Sequence, residues 1–367
     1  MFILIFILML LLYGLLVFYI GWSGWRWMKP LVPAGFKWFY LAALLFLSSS
    51  FIWGRVVSEV PFFSIMGSYW LAMFSLSLLV LPVVHLALLL IRLMRLSRDS
   101  IQKWSGAVAL VTIVSLILYG TFNAYSPVVR SYDVYIDKQA GQLTELSIVM
   151  AADMHFGLLS GRKHAERMVE EIEALAPDLV LYPGDIIDDD LDAFLNKGID
   201  EVMGNVQAEY GVYAALGNHD RYRGDMEQLI AALERSNMDV LYDETIVIED
   251  ALTLIGRKDR MERDRAPLAD LMAGVSTELP IIMLDHQPYE FDIARDLGVD
   301  LMLSGHTHRG QIAPAHLITK AIYENDWGLL QKGAFHSIVT SGYGFWGPPI
   351  RLGTRSELVH ITVHFIG

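Results

Sequence analysis

The chain has 367 residues, and its 28 basic and 41 acidic side chains are divided unevenly between two parts. Up to Arg130 there are nine basic and two acidic residues. The remainder has 19 basic and 39 acidic residues, so its net charge of −20 argues against nucleic acid as a partner. Cysteine is absent, which excludes disulfides, thiolate zinc sites and cysteine nucleophiles. This length and this asymmetry predict two domains, residues 1–130 and residues 131–367.

The first domain contains four apolar stretches, and a bilayer is crossed by about 20 mostly apolar residues. The stretches lie at residues 1–25, between Lys37 and Arg55, between Glu59 and Arg92, and between Lys103 and Arg130. Tryptophans near their ends are typical of the headgroup zone. The pattern predicts an all-α transmembrane region of about four helices. The alternative for the first stretch, a cleaved signal peptide, lacks a basic start and a clear cleavage site.

The charged loops between these stretches predict the orientation in the membrane. The first and third loops carry seven basic residues against one acid, whereas the second carries Arg55 against Glu59. Loops rich in lysine and arginine stay in the cytoplasm. We therefore expect a multi-pass protein of a bacterial-type cell membrane, with the second domain on the extracytoplasmic side. The orientation inverts if the short second stretch does not insert.

The second domain alternates apolar strands with amphipathic helices. Apolar runs of strand length occur at residues 134–136, 146–150, 179–182, 211–216, 245–248, 252–255, 280–284, 301–303 and 358–365. Apolar residues at helical spacing occur at 162–175, before Pro177, and at 226–233. This order predicts an α/β (α+β) sandwich of mixed β-sheets flanked by helices.

Five polar clusters follow predicted strands directly. They are Asp153-Met154-His155, Gly184-Asp185, Gly217-Asn218-His219-Asp220, Asp285-His286 and Gly305-His306-Thr307-His308. In such folds, ligands gather beyond the carboxyl ends of the strands. Each cluster alone also fits a solvated loop or a turn. Together, however, their carboxylate, imidazole and amide groups suit a centre of two zinc, manganese or iron ions.

In this order the five clusters resemble the signature of the calcineurin-like metallophosphoesterases, over roughly residues 146–366. The later segments Ser341-Gly342-Tyr343-Gly344 and Pro348-Pro349-Ile350-Arg351 look like those of secreted or membrane-attached bacterial phosphodiesterases. The resemblance implies two divalent ions (Mn, Zn or Fe) as cofactors and a hydroxide between them as the nucleophile. The apolar first domain is not part of the resemblance.

The resemblance also implies a role for each matching residue. One ion would be bound by Asp153, His155 and His308, and the other by Asn218, His286 and His306. Asp185 would bridge the two ions.

Four further residues receive roles outside the ligand set. His219 matches the family's histidine near the metals, which stabilises or protonates the leaving oxygen, and Asp220 would fix the tautomer of His219. Arg309 and Arg351 are expected to pair with the substrate phosphate.

These features predict a membrane-anchored phosphoesterase that acts on a phosphate ester, such as a lipid-linked one, at or near the bilayer. Phosphodiester hydrolysis is favoured over phosphomonoester hydrolysis. One alternative is an enzyme that hydrolyses the pyrophosphate of UDP-2,3-diacylglucosamine in lipid A synthesis, but its nucleotide substrate is cytoplasmic. A second is a metal-binding membrane sensor or scaffold without catalysis. A third is a transport protein with an attached hydrolase, although the spans carry one ionisable interior residue, His85, where transport paths usually carry several.

Overall fold

The computed structural model describes residues 2–57, 60–94, 99–220 and 226–367. Its contacts divide the chain into two units, residues 1–121 with 347–350, and residues 122–346 with 351–367. The first unit is helical, and the described strands belong to the second. The domain boundary at residue 130 stays a prediction.

Four helices are long and apolar enough to cross a membrane. They are α1 (Phe2–Met28), α2 (Phe36–Val56), α3 (Pro61–Leu93) and α4 (Asp99–Tyr125), the last of which continues into the second unit. Their outward side chains are apolar, and Phe18 and Trp38 are 68% and 74% exposed. Inside the bundle, small residues allow close approach, because a Cβ added to Gly67 would lie 2.7 Å from the Cα of Phe51.

The second unit contains two six-stranded sheets. The first comprises β1 (Val128–Ile136), β2 (Glu145–Met150), β3 (Leu179–Pro183), β4 (Val212–Ala215), β5 (Asp239–Val240) and β12 (Glu357–Phe365). The second comprises β6 (Glu244–Ile248), β7 (Leu252–Gly256), β8 (Ile281–Leu284), β9 (Leu301–Ser304), β10 (Gly328–Lys332) and β11 (Phe335–Val339). The strand orders are β1-β12-β2-β3-β4-β5 and β10-β11-β9-β8-β7-β6.

The central strands of each sheet are parallel, so their carboxyl ends lie at one edge. In the first sheet β2, β3 and β4 pair in parallel, and in the second β7, β8 and β9 do so. These strands are buried on both faces, which explains their continuous apolar runs. Ile148 of the first sheet and Ile282 of the second belong to the core between the sheets.

Helices cover the outer faces of both sheets. They are α5 (Arg162–Leu175), α6 (Leu191–Asn196), α7 (Ile199–Met203), α8 (Met226–Arg235), α9 (Leu268–Leu271) and α10 (Phe291–Asp296). A further helix, α11 (His316–Ile322), has no buried residue. Met168 of α5 packs in one apolar core with Val149 and Val180 of the first sheet. Phe291 of α10 packs in another with Met283 of the second sheet.

The predicted fold class, a helical apolar region followed by a sandwich of mixed sheets flanked by helices, is confirmed. The sequence interpretation missed β5, β10 and β11 and most of the short helices. Helices of four to seven residues complete too few turns to show a helical period. Strand β10 is missed because its five residues, Gly-Leu-Leu-Gln-Lys, show no polar–apolar alternation, although their burial alternates.

Candidate metal centre

The turns that follow β2, β3, β4, β8 and β9 bring the seven predicted metal ligands together. Two groups of three side chains are each close enough to hold an ion. In the first group, Nε2 of His155 lies 3.1 Å from Nε2 of His308. Asp153 completes this group, with Oδ1 3.9 Å from the same His308 nitrogen. The first group therefore combines one turn from each sheet, the turn after β2 and the turn after β9.

The second group consists of Asp185, His286 and His306. Nε2 of His286 lies 3.1 Å from Oδ2 of Asp185. The amide oxygen of Asn218 lies 2.8 Å from Nδ1 of His306, which places a fourth donor beside this group. All four residues are among those that the sequence assigns to the metals.

Asp185 lies between the two groups. Its Oδ1 accepts a hydrogen bond from the backbone N–H of His219 at 2.8 Å. Its Oδ2 faces both groups, at 3.8 Å from Nε2 of His155 and 3.1 Å from Nε2 of His286. One oxygen is thus fixed by the backbone while the other is shared by both sets of donors.

The donor atoms fit divalent ions. Two ring nitrogens that share a divalent ion, each at about 2.1 Å, lie about 3.0 to 3.4 Å apart for octahedral to tetrahedral angles. Nε2 of His155 and Nε2 of His308, 3.1 Å apart, are within this range. Nε2 of His286 is buried and makes no hydrogen bond within the described residues, although it faces Asp185. An imidazole nitrogen this close to a carboxylate, without good hydrogen-bond geometry, is placed to share a cation with it. Carboxylate, amide and imidazole donors suit manganese, iron or zinc.

The ligand side chains are aimed by unusual backbone conformations. Five of the proposed ligands have positive φ angles: Asp153 (52°), His155 (45°), Asp185 (53°), His306 (70°) and His308 (47°). Residues other than glycine adopt this region rarely, and such strain concentrates at functional sites. Close packing supports the arrangement, because a Cβ added to Gly217 would overlap Oδ1 of Asp185.

The electrostatics of the cluster place a proton beside its carboxylates, where a metal ion would compete with it. Burial would lower the pKa of His286, but the Asp185 carboxylate raises it to about 10. Burial and the neighbouring His286 lower the pKa of His306 to about 4. Burial and a neighbouring histidine also hold the pKa of His308 well below its usual value. The cluster therefore holds positive charge beside its carboxylates and presents neutral imidazoles, and a metal ion competes with protons for such groups.

His219 lies beside the first donor group, but its carboxylate partner is not the predicted one. Nδ1 of His219 lies 3.3 Å from Oδ1 of Asp189. The fully buried Asp220 instead accepts hydrogen bonds from the backbone N–H groups of Ile187 at 2.9 Å and Gly217 at 2.8 Å. With both oxygens committed to the backbone, Asp220 braces the turns after β3 and β4, and Asp189 is placed to orient His219. The predicted role of Asp220 is corrected accordingly.

Arg351 also occupies a position different from the one expected of a substrate-binding residue. It is fully buried, so it cannot reach a substrate phosphate from inside the protein. Its guanidinium donates to the carbonyls of Ser341 at 2.6 Å and Gly344 at 2.7 Å. Its Nη2 also lies 3.2 Å from Nδ1 of His308. Arg351 thus holds the 341–344 turn and faces a proposed ligand.

Arg309, the other predicted phosphate partner, is partly exposed. Its guanidinium carbon lies 3.6 Å from the ring centroid of Trp327, and the guanidinium of Arg130 lies 4.8 Å from the same centroid. Trp327 in turn donates to Glu357 at 3.0 Å. Contact of Arg309 with the substrate phosphate stays a prediction.

The sequence interpretation did not single out several residues at the site. Asp188 lies with Oδ1 3.5 Å from Nδ1 of His155, and it forms a third donor group with His155 and His219. The run of acids that follows Gly184-Asp185 was the available signal. Trp346, 55% exposed, has its ring centroid 5.7 Å from that of His219. Nothing in the sequence around Trp346 indicates this proximity.

A second flank of the site is aromatic and cationic. The ring of Tyr323 lies 6.2 Å from that of His306 and 5.2 Å from that of Tyr289, between ring centroids. The guanidinium of Arg260 lies 4.0 Å from the centroid of Tyr289. Arg260, which belongs to a segment rich in charged residues (256–265), is thereby linked to the metal centre through Tyr289 and Tyr323.

Comparison with known proteins agrees with this geometry. The family model described as calcineurin-like phosphoesterase matches residues 146–310. The chain is 30% identical over 266 residues to a protein of Aquifex aeolicus described as an uncharacterized metallophosphoesterase, covering 68% of this chain and 97% of that protein. It is 28% identical over 386 residues to a transmembrane protein with metallophosphoesterase domain of Danio rerio, covering 88% of each. It is 32% identical to an uncharacterized metallophosphoesterase of Helicobacter pylori, over 64% of this chain and 63% of that protein.

Among solved structures, the NAD nucleotidase of Haemophilus influenzae aligns with a TM-score of 0.37 and 18% identity, over 55% of this chain and 45% of that chain. The sequence relatives decide the classification: the chain belongs to the calcineurin-like phosphoesterase family. It is a metal-dependent hydrolase of phosphoric ester bonds. The four apolar helices and the similarity to a transmembrane protein further indicate a membrane protein.

Proposed function

We propose that the chain is a membrane-anchored phosphodiesterase with two divalent ions, which hydrolyses a phosphate ester at or near the bilayer. The observation that carries the proposal is the position of Asp185, whose Oδ2 faces a donor from each of the two groups. Asp153, His155 and His308 would hold one ion, and Asn218, His286 and His306 the other. When bound, the ions would activate water and neutralise charge on the phosphate.

The protein's own residues would orient the substrate and supply the proton. With Nδ1 of His219 facing Asp189, its Nε2 is left to donate a proton to the leaving oxygen. Burial would lower the pKa of His219, but hydrogen bonding to Asp189 and the charge of Asp185 raise it to about 9. The imidazole would therefore carry its proton at neutral pH, as a general acid must.

Two flanks favour a diester over a monoester. Trp346 lies beside His219, and Tyr323 lies beside His306 on the other donor group. A phosphodiester has two substituents. The exposed Trp346 and the partly exposed Tyr323, one near each proposed metal group, offer both of them a contact. A monoester would use one flank.

The four apolar helices support a substrate at the membrane. A catalytic unit tethered to a bilayer meets lipid-linked esters at a much higher effective concentration than dissolved ones. The proposed substrates are therefore phospholipid head groups, lipid-linked pyrophosphates or envelope polymers. We further propose the extracytoplasmic orientation, which the loop charges support.

The test is hydrolysis of bis(4-nitrophenyl) phosphate and 4-nitrophenyl phosphate by purified full-length protein with added manganese. We expect diester turnover to exceed monoester turnover, and Trp346→Ala to reduce the ratio about tenfold, on the order of one aromatic contact. Trp38→Ala, which removes an exposed tryptophan of α2, is the matched control and should leave the ratio unchanged. A metal-loaded protein that hydrolyses neither ester would instead support a binding role without catalysis.

A further inference from the structure

The first unit contains a cavity of about 670 Å³ between α1, α3 and α4. Its lining includes Trp22, Ser23, Arg26, Trp27, Pro30, Leu31, Leu81, Val84, His85, Leu88, Leu89, Arg92, Ser105, Gly106 and Ala109. This volume lies within the range of small-molecule sites in proteins. The cavity belongs entirely to the helical unit and is separate from the residues of the metal centre.

One part of the lining is cationic. Arg26 lies in the last turn of α1, and Arg92 lies in the last turn of α3. His85 adds an imidazole, which is held by the hydroxyl of Tyr19 at 2.8 Å from its Nδ1. Both guanidinium groups therefore line the same cavity. Guanidinium groups recognise phosphate through charge-assisted, bidentate hydrogen bonds.

The rest of the lining is apolar and continues into a second cavity. This neighbour, of about 410 Å³, is lined by Val84, Ala87, Leu88, Ile91, Trp104, Ser105 and Val108. The two cavities share Val84, Leu88 and Ser105. A cavity with a cationic end and an apolar extension is complementary to an amphipathic anion. The anionic head of such a ligand would lie at the arginines, and its hydrocarbon chain would lie along α3 and α4.

The position of the arginines favours a lipid as that anion. Arginines at the ends of spanning helices lie at the depth of the lipid head groups, as do tryptophans such as Trp22 and Trp27. Basic cavities between such helices bind the head groups of anionic lipids. The guanidinium of Arg26 lies 5.3 Å from the ring centroid of Trp22, which restrains it near the cavity wall.

We propose that this cavity is a binding site for one anionic phospholipid, with its phosphate between Arg26 and Arg92 and an acyl chain against Val84 and Leu88. The site lies at the ends of α1 and α3 and the start of α4, whereas α4 enters the second unit at its other end. The bound lipid is a ligand of the helical unit, because every residue that lines the cavity belongs to that unit.

The experiment is native mass spectrometry of the full-length, metal-loaded protein in detergent. It is titrated with phosphatidylglycerol, with phosphatidylcholine of the same acyl chains, or with inorganic phosphate. We expect selective retention of one phosphatidylglycerol. The double variant Arg26→Gln with Arg92→Gln should weaken this retention about thirtyfold, since each basic residue near a membrane surface contributes about fivefold. Lys37→Gln removes a basic residue at the start of α2 that does not line the cavity, and it should retain binding within about twofold.

A second variant tests the cavity without removing charge. Val84→Trp fills the shared wall and should reduce phosphatidylglycerol retention at least about tenfold. Each variant must elute as a single species and still hydrolyse the aryl diester. Equal retention of phosphatidylglycerol by wild type and both cavity variants would overturn the proposal. Equal retention of phosphatidylcholine, or saturation by inorganic phosphate alone, would overturn the assignment of an anionic lipid.

Discussion

The two sheets contribute to one metal centre in different ways. The first sheet supplies both carboxylates, and backbone N–H groups fix them: His306 donates to Asp153 at 2.9 Å and His219 donates to Asp185 at 2.8 Å. The second sheet supplies three imidazoles, and groups from elsewhere hold two of them. Nδ1 of His286 lies 2.9 Å from the carbonyl of Pro183. The first sheet thus contributes the negative charge of the centre, and the second contributes imidazole ligands in fixed positions.

This contrast has a mechanistic meaning. Removing charge from a centre of two cations alters every step that the ions support, whereas loosening one imidazole alters mainly ion affinity. Changes in the first sheet should therefore be severe and not reversible by added metal. Substitutions of residues that hold the imidazoles of the second sheet should reduce activity less, and added metal should partly restore it.

The largest effect is expected at the shared carboxylate. Asp185→Asn keeps the size of the side chain and removes its charge, and we expect kcat/KM for the aryl diester to fall at least about a thousandfold, since metal stabilisation amounts to several kcal/mol. Steady-state kinetics with bound-metal analysis measures this. Asp190→Asn is the control, because asparagine caps α6 as well as aspartate does. Full recovery at high manganese would contradict the bridging role.

The next largest effect is expected at His219, the proposed general acid that follows β4 of the first sheet. His219→Gln should reduce kcat about a hundredfold for a substrate with a poor leaving group, as expected for loss of a general acid. Metal content should be unchanged. The loss should shrink for leaving groups of low pKa, which need little protonation. An equal loss across a series of aryl diesters would show that His219 acts in another way.

A smaller loss of activity is expected when Arg351, which contacts the second-sheet ligand His308, is replaced. Arg351→Met leaves His308 without its guanidinium neighbour and frees the carbonyls of Ser341 and Gly344. We expect kcat/KM to fall about 10- to 100-fold through weaker metal binding, as for other groups that orient ligands. Added manganese should restore much of the activity. Arg162→Met, at an exposed arginine of α5, is the control, and a loss that manganese cannot reverse would argue against the positioning role.

The smallest effect concerns packing on the first sheet. His164 of α5 is buried against Tyr343, and burial, with Arg167 and Arg351 nearby, lowers its pKa to about 4. The unfolded chain, with a histidine pKa of about 6.5, binds more protons below that pH, so this histidine's contribution to stability is present above pH 6.5 and is lost as the pH falls. Between pH 7 and pH 5 wild type should lose about 2 kcal/mol relative to His164→Gln.

Chemical denaturation at the two pH values, followed by circular dichroism of full-length protein, measures this difference. His364→Gln, at a partly exposed histidine of β12, is the control and should follow wild type. Parallel pH profiles for wild type and His164→Gln would show that this histidine is not a source of acid sensitivity.

The parts of the molecule that the sequence predicts are those governed by short-range pattern. Apolar runs locate the strands, and a polar cluster after a strand locates its turn, so the five clusters could be placed at one edge before any contact was known. The four apolar stretches likewise predict the four helices, because length and composition alone decide them.

The remainder depends on contacts that are distant in sequence. Asp189 and Asp220 are both acids near His219, and only the folded turns show which one has its oxygens taken by backbone N–H groups. Arg351 follows a glycine- and proline-rich segment that suggests an exposed loop, yet it is buried among carbonyls. Burial of an arginine leaves no periodic signature in sequence.

The tight packing of Gly217 against Asp185 bears on how such enzymes lose activity during evolution. A single added methyl group at this glycine would collide with the carboxylate oxygen that faces it, while every ligand remained in the sequence. Ligand inventories alone would therefore count a relative with alanine at this position as active. Pseudoenzymes of this kind are better recognised by the glycine that leaves room for the carboxylate than by the carboxylate itself.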